Sequence, residues 1–313
     1  MKEPTTDKKV TAAGDITETF LALASRSTKL GDLPISRALP LREGRMVGPW
    51  CFLDRFGPLS FTSGKPMFVP PHPHIGLQTV TYLLAGEVLH TDSLGSQALL
   101  RPGGVNVMTA GHAIAHAEET PENNSGILNG VQLWTALPET DRHINPGFVH
   151  INQVPCIETD SASIQVFAGT YAGQTCPAPY YSQIIGLDVA INPNSRIELT
   201  LQPEYEHAII LLEGDCTYWG TALDDETLYY LGTNRQSITL SSHQGSRVLV
   251  IGGLPFTEKI LMWWNFVARK QDEIAQARTD WEAHLRFGEV PGNHGQRLRA
   301  PSLLRMSQPN PAS

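Results

Sequence analysis

The sequence predicts an all-β protein made of two fused β-barrel domains, with one amphipathic helix near the end of the chain. Three observations predict it. At 313 residues the chain can bury two ordinary cores, the better expectation at that length. Its 27 glycines and 23 prolines signal many turns, and hence many short strands. Two segments about 128 residues apart also read alike: Tyr82-Leu-Leu-Ala-Gly-Glu87 and Ile210-Leu-Leu-Glu-Gly-Asp215, each an apolar run ending in a glycine turn.

Taken in order, residues 1–18 are charged and polar and read as a flexible N-terminal tail. An N-terminal domain follows over 19–150. Within it, short apolar segments alternate with turn signals such as Phe56-Gly57-Pro58, Ala85-Gly86 and Arg101-Pro102-Gly103-Gly104. Thr79 to Leu84 is β-branched or aromatic and too short for a helix, so it is a strand. Residues 145–155 form a linker into a C-terminal domain over 151–288, with strands at Ile184 to Ile191, Ser195 to Leu201, His207 to Leu212 and Ser246 to Gly252. Each half is expected to hold its own apolar core. The helix is expected over about 270–287, because Ile274, Ala277, Trp281 and Leu285 share one face and Gly288 stands where a C-terminal cap belongs. Arg269-Lys270 is a poor start for it, having no short polar cap. Residues 289–313, rich in Pro, Gly, Ser and Asn, read as a tail or an extended arm.

Composition narrows the function. An apolar fraction of 41% and a charged fraction of 17% suit a soluble globular chain. The net charge is −8 and the basic residues are scattered, which gives no footprint for direct nucleic-acid binding. No apolar run approaches the roughly 20 residues of a membrane span, and the first residues lack the apolar stretch of a signal peptide. A cytoplasmic location without membrane association is expected. Cys51, Cys156, Cys176 and Cys216 are far apart, show no CxxC spacing, and read as ordinary thiols. The sequence shows no phosphate loop, no dinucleotide fingerprint and no Ser/His/Asp arrangement.

One constellation carries chemistry. In Pro71-His72-Pro73-His74 the histidines are one residue apart, so in an extended strand both imidazoles face the same way. In Gly111-His112-Ala-Ile-Ala-His116-Ala-Glu118-Glu119, His116 and Glu118 alternate in the same manner. Two such pairs on neighbouring strands supply three imidazoles and one carboxylate, a set that suits iron, manganese, nickel or copper better than structural zinc. Four ligands on an octahedral ion leave two positions for other groups. Shifting His72 and His74 by the repeat lands on Thr200 and Gln202, which are poor ligands, so one ion per chain is expected. His207 and His243 are read as structural. His112 shares the face of His116 and Glu118 and reads as a pocket-rim residue or, more weakly, a pocket base. His90 precedes a turn in which Asp92 and Ser93 bond to local backbone, and is read as structural. Glu119 points to the opposite face and is not expected to coordinate.

These motifs, with GPWCFLDRFGP upstream, then PHPHIGLQTVTYLLAGEV, HTDSLG, RPGGVNVMTAG, IAHAEE and GVQLW, and the FVARKQDEIAQARTDW helix downstream, resemble the pirin family of bicupins. The resemblance covers most of the chain outside the tails. It implies two cupin-type antiparallel β-barrel (jelly-roll) domains with a metal ion in the N-terminal one, iron first, with Mn, Ni, Cu or Zn as alternatives. The family's three histidines and one glutamate match His72, His74, His116 and Glu118. There are departures. Where pirins commonly carry Arg-Gly-Phe-Glu after the His-x-His, this chain has Ile75-Gly76-Leu77-Gln78, which puts the substrate in question. The resemblance implies either of two functions. One is a quercetin 2,3-dioxygenase-like enzyme that opens a flavonol ring with O2 and releases carbon monoxide, with Glu118 as ligand and base and His112 a weaker candidate. The other is a non-catalytic, iron-binding redox regulator that binds a transcription factor or metabolic enzyme. The expected partners are a small aromatic substrate and O2, with the chain a monomer.

Overall fold

A computed structural model describes residues 8–11, 19–30, 33–40, 46–62, 67–292 and 297–303. The described residues are mostly antiparallel sheet, arranged as two jelly-roll halves. The N-terminal half pairs a seven-stranded sheet with a four-stranded one. The larger runs Gly147–Ile151, Val105–Thr109, Leu77–Ala85, Ile127–Ala136, Trp50–Ser60, Leu33–Leu39, Arg26–Leu30. The smaller runs Phe68–His74, Ile114–Glu119, Val88–Asp92, Gln97–Leu100. The C-terminal half repeats the plan with a nine-stranded and a four-stranded sheet. The sheets are open sandwiches and do not close into rings. No helix among the described residues is long and apolar enough to cross a membrane.

The expectation of a separate core for each half holds in part, since the N-terminal half has one of its own, with Leu33, Phe56, Leu83 and Leu100 between its two sheets. The C-terminal half does have an interior of its own, with Leu187, Val189, Leu199, Leu240 and Val250 between its two sheets. Another cluster runs across both halves, joining Trp50, Val80, Tyr82 and Leu133 to Phe167, Ile184, Leu249 and Ile251. The physical reason is legible in Leu77–Ala85, where every residue except Ala85 is buried. One of its faces packs against the small sheet and the other against the partner half, so its apolar run is nearly continuous rather than alternating.

That shared face has a polar rivet. Tyr82 Oη donates to Asp188 Oδ2 at 2.7 Å, and Arg247 Nε lies 2.8 and 2.9 Å from the two carboxylate oxygens of Asp188. The tyrosine is fully buried, so its phenol is pushed well above its usual pKa by desolvation and by Asp188. Tyr82→Phe removes one donor from a buried carboxylate while Arg247 remains, and should destabilise the protein by about 1.5–3 kcal/mol. Urea unfolding checks this, and an unchanged midpoint would refute the rivet.

Three further differences concern the ends of the chain. Thr19–Ala24, which the sequence reading puts at the start of the N-terminal domain, pairs with Thr227–Gly232 and so extends the large sheet of the C-terminal half. Lys8–Thr11 pairs with it in turn, while the rest of the expected N-terminal tail, residues 1–7 and 12–18, lies outside the described residues. The helix is Gln271–Glu282, five residues shorter at its end than expected. Ile274, Ala277 and Trp281 are buried as read, but Leu285 is 58% exposed. The chain leaves the helix at Ala283, His284 turns with φ +57°, and Phe287 takes the buried place instead. At the other end Glu273 receives the backbone N–H groups of Arg269 and Lys270 at 2.9 and 3.2 Å, supplying the capping that Lys270 lacks. Beyond the helix, residues 297–303 lie back on the fold. Leu298 donates its N–H to Pro71 O at 2.9 Å and accepts from Trp281 Nε1 at 2.8 Å. The remainder of the C-terminal arm, 293–296 and 304–313, lies outside the described residues.

Candidate metal centre

The two histidine-bearing strands are neighbours. Phe68–His74 and Ile114–Glu119 pair antiparallel with His72 opposite His116 and His74 opposite Ile114, and a register shift separates His116 from Glu118. Strand alternation therefore delivers His72, His74 and His116 to one place, where their ligand atoms lie within 4.8 Å of one another. All three are buried. His74 Nε2 and His116 Nε2 stand 3.1 Å apart. Burial, reinforced by the neighbouring imidazoles, holds His74 and His116 well below the usual histidine pKa, and burial lowers His72 to about 4. At neutral pH these rings are uncharged, the form in which imidazole binds a metal.

Glu118 is also buried but forms a second group, with His90 and His116, again with ligand atoms within 4.8 Å. Burial raises its carboxyl pKa, opposed by His90 and by Thr81, whose hydroxyl donates to Oε1 at 3.0 Å. The four candidate residues line one cavity, with His116 shared between two trios, and Glu118 groups with His90 rather than with His72 and His74. His90, whose sequence context suggests a structural role, sits against the cluster. Val88–Asp92 pairs with Ile114–Glu119 so that His90 faces Glu118 and Asp92 faces His116. The available signal was the alternation His90-x-Asp92, the same period that marks the other two pairs. Asp92 does bond local backbone, accepting the N–H groups of Leu94 and Ser96. Its carboxyl sits below the usual range because His90 and Ser96 outweigh the effect of burial. Ser93 instead accepts the N–H of Ala115 across the sheet at 3.1 Å.

His112 does not join the cluster. Its strand begins only at Ile114, so the alternation does not carry back to it. His112 Nδ1 donates to Ile144 O at 3.1 Å, and the side chain lines a separate cavity of about 340 Å³ beside Arg142 and Glu273. Glu119 belongs to neither trio. Ile75 faces that second cavity and makes a parallel bridge to Phe266, while Gln78 donates to Thr109 Oγ1 and Pro179 O at 2.9 and 3.0 Å. Neither residue lines the histidine cavity. Among the described residues no third group of this kind appears, and the C-terminal His207 is buried, its pKa lowered to about 4 mainly by desolvation. The four cysteines are unpaired thiols, and burial pushes Cys51 up to about 12.

The histidine cavity measures about 350 Å³. Its wall is an aromatic slab, Phe52 stacked on Trp134 at 4.0 Å, with the edge of His74 against Trp134 at 5.2 Å. At one side Arg37 lies over Phe52, 4.6 Å from the ring centre, and grips Asp54 with two 2.7 Å bonds. The site can hold a cation at the imidazoles and a flat, partly polar molecule against the slab.

Comparison with known proteins agrees with this architecture. The Pirin family model matches residues 33–135, and the model of the pirin C-terminal cupin domain matches 186–288. A Pseudomonas aeruginosa protein whose name assigns it provisionally to the quercetin 2,3-dioxygenases is 43% identical over 87% of each chain. A crystal structure titled quercetin 2,3-dioxygenase from Acinetobacter baumannii superposes with a TM-score of 0.90 at 40% identity, covering 93% of this chain and 98% of that one. A bacterial pirin from Escherichia coli in complex with nickel(II) shares the fold at a TM-score of 0.61 and 17% identity, covering 76% of this chain and 100% of that one.

Proposed function

Because the chain belongs to the pirin family, we propose that it is a metal-dependent dioxygenase acting on flavonol-type, quercetin-like substrates with O2. In this reading one transition-metal ion, iron first, is held by His72, His74, His116 and Glu118, in the N-terminal half of the fold. The observation that carries it is the close approach of two imidazole Nε2 atoms, 3.1 Å apart in a buried cavity. His74 presents a bare nitrogen there, because its Nδ1–H donates to the Asn265 carbonyl. Neutral rings so crowded fit a cation that both nitrogens face.

When bound, the ion supplies Lewis acidity that lowers the pKa of a hydroxyl beside a keto group. The residues do the rest. His72, His74 and His116 orient that chemistry toward the cavity. The Phe52–Trp134 slab holds a planar substrate in one plane and keeps water from its face. Glu118 receives the substrate's hydroxyl proton on Oε2, since Oε1 is engaged by Thr81. His112, in another cavity, has no part in this step. We further infer a cytoplasmic monomer.

The test is O2 uptake and carbon monoxide release across a flavonol panel, comparing iron-loaded with metal-stripped protein. Uptake with matching carbon monoxide only in the loaded protein is expected. No uptake with any flavonol at full occupancy would end the dioxygenase reading in favour of a metal-dependent binding protein.

A further inference from the structure

Two of the three clustered imidazoles have their tautomer set by backbone. A carbonyl oxygen only accepts, so His72 Nδ1, 2.9 Å from Pro70 O, and His74 Nδ1, 3.1 Å from Asn265 O, each carry the ring proton. Their Nε2 atoms are left bare. His116 has no such carbonyl. Its Nδ1 faces another ring nitrogen, Nδ1 of His90, at 3.3 Å. Either nitrogen could be the donor, and the choice decides whether His116 offers the cluster a lone pair or an N–H.

Asp92 decides it. His90 Nε2 lies 3.2 Å from Asp92 Oδ2, while Asp92 Oδ1 accepts the backbone N–H groups of Leu94 and Ser96 at 2.9 and 3.0 Å. A carboxylate is an acceptor only, so the proton of His90 is on Nε2 and its Nδ1 is bare. His116 is then the donor once a cation takes the bare Nε2 lone pairs of His74 and His116, which otherwise face each other at 3.1 Å. We infer that Asp92 and His90 are positioning residues that hold His116 as its Nδ1–H tautomer, with Nε2 bare and aimed at His74. The inference rests on the metal-centre reading above and adds two residues behind the cluster that set the donor it presents. The rival use of the same groups is direct coordination by His90, since His90, His116 and Glu118 also form a compact trio.

Asp92→Asn separates these possibilities. The substitution keeps Oδ1 and its two turn bonds but replaces Oδ2 with an amide that donates. His90 then turns Nδ1–H toward His116, which must carry its own proton on Nε2. Long-range 1H–15N spectra of metal-free protein labelled on histidine read these tautomers directly. We expect Nε2–H on His90 in the wild type and Nδ1–H on His90 in Asp92→Asn. Titration with nickel(II) alone should show affinity falling about 10- to 100-fold in Asp92→Asn. His90→Asn, which retains an acceptor near the Nδ1 position, should keep most of the affinity, whereas His90→Leu should lose as much as Asp92→Asn. The same His90 tautomer in wild type and Asp92→Asn, or equal nickel affinities, would overturn the relay. Two nickel ions per wild-type chain falling to one in His90→Leu would also overturn it, making His90 a ligand. A wild type that binds no nickel would sink the metal-centre reading instead, and the spectra would still decide the relay.

Discussion

His74→Ala is expected to empty the site without unfolding the protein. The substitution removes one of the two nitrogens that stand 3.1 Å apart and leaves a buried gap beside Trp134. Loss of a ligand should cost more affinity than the roughly 10- to 100-fold typical of changes behind the ligands. Iron content after dialysis and O2 uptake should therefore fall together. The fold should survive, because the cluster spanning the two halves and the interior of the C-terminal half include none of the four candidate ligands. Metal-free wild type should likewise keep its far-ultraviolet circular dichroism. Global unfolding on metal removal would show the ion to be structural, as in small zinc domains.

Glu118→Gln is expected to keep most of the metal and lose most of the turnover. The amide preserves shape, and its oxygen can still accept from Thr81, but it is neither charged nor basic at neutral pH. Three imidazoles remain to hold the ion, so affinity falls modestly. Loss of a positioned base typically costs about 100- to 10,000-fold in rate. The comparison is kcat for O2 uptake with quercetin at equal metal occupancy. Equal rates would keep the enzyme and remove Glu118 as its base.

That His72 and His74 share one face was legible because strand alternation is a local rule, a period of two that depends on nothing beyond the segment; His116 joins them through the pairing of two strands. What depended on distant partners was not legible. His90 reaches the cluster only because its strand lies beside Ile114–Glu119 in one particular register, which no local pattern states. His112 sits on the wrong side of a strand boundary, and boundaries are the least certain part of any such reading. Thr19–Ala24 looks like the first strand of its own half yet adds to the other, a choice made by edge pairing with Thr227–Gly232. The departures at Ile75 and Gln78 also carry less weight for the substrate than the sequence alone implied. Both face away from the histidine cavity, and its polar side is supplied by Arg37 and Asp54, far upstream. The helix was recognised by its apolar face, but its end was set by Phe287 competing for the place that Leu285 would have filled.

In the proposed centre a single ion sits among His72, His74 and His116 and is completed by Glu118. The most direct measurement is an anomalous-difference map from a crystal of iron-loaded protein, collected at the iron edge. One peak per chain is expected, within coordination distance of the three Nε2 atoms and a Glu118 oxygen. A peak placed instead between His90, His116 and Glu118, or a second peak in the C-terminal half, would contradict it.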